Sequence, residues 1–165
     1  MKKIVSLMLA LIMLSFTFVI SSCDLNLNEI SEQSSTQKEE EFYHLVDETK
    51  DLLDVVADDI YSYWYDCIYK DKYHDSIDFA IASALSDNEE NINTIEENTT
   101  KIKDLYKEIK DGKLGSEAKA VMQAYNDYYT LVVEVSGSFN SYSASKETCK
   151  KELASALDDF SFELD

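Results

Sequence analysis

Two histidines, two cysteines and a crowded run of tyrosines are the side chains beyond the N-terminus whose types and spacing admit chemistry. His44 and His74 each have a carboxylate four positions on, Glu48 and Asp78, so each pair shares a helix face and offers two ligands to a metal ion. Zinc takes three or four ligands, and neither pair supplies that number, so no metal site is predicted. The stretch 87–98 is acidic enough to suggest calcium. It has Ile92 where a calcium loop needs its glycine, however, and Asn98 where the loop needs a bidentate Glu. The adjacent carboxylates Asp58-Asp59 and Asp158-Asp159 point about 100° apart on a helix and cannot act as an acid and base on one bond. No phosphate-binding loop, Gly-x-Ser-x-Gly or Cys/His dyad is present. The expectation is a protein without catalytic residues, cofactor or metal.

The third cysteine belongs to a different chemistry. Lys2 and Lys3 open the chain, Ile4 to Val19 is apolar apart from Ser6, Ser15 and Thr17, and Ile20-Ser21-Ser22-Cys23 follows. A positive start, a greasy run and small residues read as a secretory signal, outside the folded domain. With an aliphatic residue three positions before the cysteine, the segment resembles the lipobox of bacterial lipoproteins. That resemblance implies cleavage between Ser22 and Cys23, a diacylglyceryl group on the Cys23 sulfur, and a chain held on the membrane by lipid. Two acyl chains anchor durably where one does not. A transmembrane helix is the competing reading, but the apolar run is at the short edge of what a bilayer needs. The domain should then sit on the extracytoplasmic face of the cell membrane. Fifteen lysines without an arginine, and abundant Asn, Tyr and Ile, suit an AT-biased genome and a Gram-positive envelope; an outer membrane is the alternative.

The net charge is −18, and loss of Lys2 and Lys3 with residues 1–22 leaves the body more acidic still. Such a surface repels phosphate polymers and anionic lipid, so no nucleic-acid binding is expected. Of the 11 Tyr, 7 Phe and 1 Trp, only Phe16 and Phe18 fall in the leader, more aromatic residues than a disordered acidic chain carries. Residues 23–38 read as the lipidated cysteine and a flexible tether, and 39–165 as one helical domain.

Proline is absent and glycine occurs only at 112, 115 and 137, so long helices run without breakers. Phe42, Val46, Thr49, Leu53, Val56, Ile60, Tyr63 and Cys67 step alternately by four and three, the seam of a first helix. Ile81, Leu85, Asn88, Ile92, Ile95, Thr99, Ile102, Tyr106 and Ile109 form a second, closed by Gly112 and followed by a helix start at Ser116. A third series runs from Leu114 through Val121, Tyr128, Val135, Tyr142 and Cys149 to Phe160, with Lys146 its polar exception. Its phase survives the Gly/Ser-rich stretch 136–145, which favours one continuous helix. The fold class is therefore all-α, an antiparallel three-helix up-down-up bundle, with a four-helix bundle broken at 136–145 as the alternative.

In the three-helix arrangement Cys67 and Cys149 land at the same height on core seams, and outside the cytoplasm they are expected to form a disulfide. The four-helix alternative separates them. The aromatic run Tyr61, Trp64, Tyr65, Tyr69 and Tyr73 presents too many directions for one seam to bury. It either caps the core or forms an interaction patch at the end of the bundle away from the tether, for an extracellular protein or a glycan. The functional expectation is a tethered, non-enzymatic interaction module. Alternatives are a protective lipoprotein against phage or toxin, and a solute-binding or enzymatic lipoprotein with a concave pocket.

Overall fold

A computed structural model describes residues 27–73 and 76–164, with side chains from residue 35 onward. Residues 1–22, read from the sequence as a secretory signal, and Cys23, His74 and Asp75 lie outside the described residues. The chain divides into two compact units, Met1–Ile30 and Ser31–Asp165, and the second is the helical domain. Five helices follow in order: α1 Leu27–Tyr69, α2 Ile77–Asp87, α3 Glu89–Ile109, α4 Gly115–Val133 and α5 Phe139–Leu164. Among the described residues there is no strand, as the all-α expectation requires.

The first helix, α1, begins earlier than the seam pattern suggests. Residues 27–38, expected as an irregular tether, are helical because Glu, Gln, Lys and Leu are strong helix formers and no Gly or Pro interrupts them. At the other end the chain leaves through Asp71 and Tyr73, whose φ of 52° and 61° are left-handed conformations for non-glycine residues. Asp66 pins this exit by accepting from Lys70 at 2.7 Å and Lys72 at 2.6 Å. The Ser76 side chain then accepts from the Phe79 amide at 3.2 Å and caps α2.

The second series forms two helices. Its polar seam residue, Asn88, ends α2 and starts α3. The buried Asn88 amide group donates to Asp59 Oδ2 at 2.8 Å and to the Ala84 carbonyl at 3.0 Å. A side chain that bonds the preceding turn competes with the helix ladder at that point. The next turn leads into α4 at Gly115, where an added Cβ would lie 2.1 Å from the Lys110 carbonyl oxygen, so only glycine fits.

The third series is also broken, and here the expected three-helix bundle is corrected. Residues 134–138 leave the helix, Gly137 takes φ +88°, and α5 restarts behind a reciprocal cap. Ser138 Oγ accepts from the Ser141 amide at 3.2 Å while Ser141 Oγ accepts from the Ser138 amide at 2.8 Å. The heptad phase carries across the gap because both helices bury into one core, but phase says nothing of whether the backbone turns. Paired caps and a left-handed glycine make it turn.

Contacts along α1 give the order of the rods. Lys38 meets Glu108 at 2.6 Å, Asn98 donates to Thr49 at 3.2 Å, and Asn88 reaches Asp59, so α2 and α3 descend as α1 rises. Tyr128 donates to Asp54 at 2.6 Å on the rising α4. Rings of Phe42 and Phe160 lie 5.5 Å apart and those of Trp64 and Tyr142 5.7 Å apart, so α5 descends. The result is up-down-up-down, with Phe42, Ile60, Ile102, Tyr125, Tyr128, Leu153 and Phe160 fully buried between the rods. Burying each such side chain contributes roughly 1.5–3 kcal/mol.

Candidate interaction site

The thiols come first, since the sequence pairs them. Cys67 and Cys149 are free in the structure, and the expected disulfide is not formed. The cause is the break at 134–138, which folds α5 back so that Cys149 lies well down α1 from Cys67. Cys67 is buried, and burial, with Asp127 adding to it, pushes the half-buried Cys149 thiol up. A thiol whose pKa is raised, as at Cys149, is not an activated thiolate.

The aromatic run divides along the helix period. Trp64 is 3 % exposed and belongs to the core, its ring edge-on to Phe139 at 6.0 Å. It is thereby corrected as a member of an exposed patch. Trp64 Nε1 is buried with no hydrogen-bond partner. Tyr61, Tyr65 and Tyr69, four residues apart, make a ladder on the outer face of α1, with ring centroids 6.3 Å and 4.7 Å apart in succession. Phe139, the first residue of α5, leans on all three rungs at 5.0, 6.2 and 6.2 Å. Lys146 Nζ stands 4.7 Å over the Tyr61 ring and Lys70 Nζ 5.5 Å over the Tyr65 ring.

Tyr73 turns the other way and stacks on Tyr63 at 5.0 Å, with Phe79 at 6.5 Å beyond it. Tyr63 donates its hydroxyl to Asp87, and this bond, with partial desolvation, pushes its pKa up to about 12. The two stacks flank a corner built by the end of α1 and the start of α2. Tyr65, Ile68, Tyr69, Ile77 and Phe79 are all exposed there, Tyr69 by 60 % and Phe79 by 51 %. Among the described residues, the other exposed large apolar side chains are Val55 and Phe162.

The sequence identified Tyr61, Tyr65, Tyr69 and Tyr73 but missed Phe139, Phe79, Ile77 and the two lysines. The four-residue spacing of 61, 65 and 69 was the available signal for the ladder. The others come from other helices, and only the fold brings them near. His44 is exposed beside Tyr43, in a shallow groove with Glu40 and Asp158, away from this corner. Among the described residues, no group of three or more His, Cys, Asp or Glu is placed to hold a metal ion. Among them also, no helix is long and apolar enough to cross a membrane.

No family model, curated protein or solved structure matches this chain. A functional reading therefore rests on its own surface.

Proposed function

We propose that this chain is a membrane-tethered extracytoplasmic interaction module, carried by lipid on Cys23 and meeting its partner through the corner where α1 ends and α2 begins. One observation carries the reading: most of the large apolar side chains left exposed among the described residues are gathered at that corner instead of scattered over the bundle. Clustered exposure of this kind marks interaction surfaces, whereas single exposed apolar residues need no explanation. Tyrosine suits the task because it offers a rigid apolar face and a polar tip at low entropic cost.

The acidic body supports the same reading by excluding partners. A net charge of −18 and a pI near 4.3 oppose close approach to phosphate polymers or an anionic bilayer. Anchoring then depends on the acyl chains, and contact with other molecules depends on the aromatic corner.

Two measurements test the two halves. Incorporation of an alkyne-labelled fatty acid should disappear in Cys23→Ala, and its persistence would remove the anchor. Capture of an envelope protein by the wild-type chain should be lost in Tyr69→Ser/Phe79→Ser, with helix content and melting unchanged. Equal capture by the double variant would move the contact elsewhere.

A further inference from the structure

The corner's tyrosine ladder already holds cations. Lys146 sits on Tyr61, backed by Asp58 at 2.5 Å, and Lys70 sits on Tyr65, backed by Asp66 at 2.7 Å. Each uses the same arrangement: an ammonium between an aromatic face and a carboxylate one turn or less away. Tyr69 continues the ladder at 60 % exposure, and among the described residues no lysine occupies its face.

We infer that the outer rungs, Tyr65 and Tyr69 with Ile68 between them, form a docking strip for a basic protein segment. The inference rests on the proposed function and specifies the partner's chemistry. An incoming Lys or Arg is drawn by the field of a chain with net charge −18, places its charge over the Tyr69 ring, and lays its aliphatic stem along Ile68. Lys70 is itself half exposed, so a partner side chain can exchange with it over Tyr65 while Asp66 retains Lys72 at 2.6 Å. A neutral glycan would also stack on tyrosine, but it would gain nothing from the net charge of the body. An anionic wall polymer would be repelled by that charge.

The test titrates the full-length chain, carrying ring-labelled tyrosine, with an amidated peptide of alternating Lys and Ser, with its Glu/Ser counterpart, and with a neutral N-acetylglucosamine oligomer. The Lys peptide is expected to shift the Tyr65 and Tyr69 ring resonances. Affinity should fall about fivefold in Tyr65→Leu/Tyr69→Leu and stay within about twofold in Tyr65→Phe/Tyr69→Phe, since the ring and not the hydroxyl carries the attraction. Equal affinity in the Leu variant, or shifts confined to other acidic faces, would overturn the inference. Ring shifts with the N-acetylglucosamine oligomer alone would overturn the basic partner while leaving the corner as an interaction surface. If the Leu variant fails to fold, loss of Lys-peptide binding in the folded Phe variant overturns it instead.

Discussion

Lys146 Nζ meets Asp58 Oδ1 at 2.5 Å across the α1–α5 seam, and one turn away Lys150 meets Asp54 at 3.0 Å. Together these pairs fix the register of the two helices. They also explain why a lysine stands in a hydrophobic seam: its stem lies in the core, its charge reaches the rim, and Asp58 raises its pKa against the opposing effect of burial.

The same register decides the thiol chemistry. With residue 150 beside 54, Cys149 is level with a point about twelve residues below Cys67, roughly 18 Å away at helical rise. A disulfide needs Cα atoms within about 7 Å. The chain handled in air should therefore alkylate at both Cys67 and Cys149 without prior reduction, Cys149 reacting first. A recovered Cys67–Cys149 linked peptide pair would contradict the register.

Trp64 and Tyr69 neighbour one another in the aromatic run and should behave oppositely. Trp64→Ala empties a core site and should cost about 3–5 kcal/mol in chemical denaturation. Tyr69→Ala removes a largely exposed ring and should cost less than about 1 kcal/mol. Similar losses for the two would show that the ladder is core.

The turns should be as sensitive as the core. Gly115→Ala places a Cβ against the Lys110 carbonyl and should cost about 1–3 kcal/mol, because backbone must move. Gly137→Ala forces a side chain into φ +88° and crowds Ser141 Oγ, for about 1–2 kcal/mol. A stable, unchanged Gly137→Ala protein would favour a continuous helix through 134–138.

Alkali should unfold the domain. Burial raises the Tyr125 pKa to about 12, with Thr99 opposing slightly. Tyr128 and Tyr142 are raised by burial too, with Asp54 and Asp58 adding to it. A raised folded-state pKa means the neutral form is favoured in the fold. That stability is present below the ordinary tyrosine pKa near 10 and is lost as pH rises toward 12. For Tyr125 alone the loss is about 3 kcal/mol at one unit per 1.36 kcal/mol. Denaturation midpoints should hold steady to about pH 9 and fall steeply above 10, with tyrosinate absorbance rising in the same transition. Tyrosines titrating together near 10 in a folded chain would contradict the burial.

Helicity and most of the core were legible from the alternating steps of three and four, since Phe42, Val46, Ile60, Tyr128 and Phe160 are all interior. The breaks were less legible. Asn88 and the stretch from Ser136 stood out as polar or small, yet the hydrophobic phase ran through both. Phase records which face is buried, whereas a break depends on local competition for backbone hydrogen bonds, here from Asn88 to Ala84 and between Ser138 and Ser141. Residues 27–38 carry no sustained apolar seam, and their helix rests on propensity, which leaves no periodic signal in the sequence. The aromatic corner was half visible, because one helix supplies the ladder while Phe139 and Phe79 come from distant sequence.

Site-specific photo-crosslinking in producing cells tests the central claim most directly, with the reactive group placed at position 69 and, as a reference, at exposed position 119 on α4. The account predicts a discrete crosslinked species from 69 and none from 119. Equal labelling at both positions, or a species from 119 alone, would contradict an interaction surface at the α1–α2 corner.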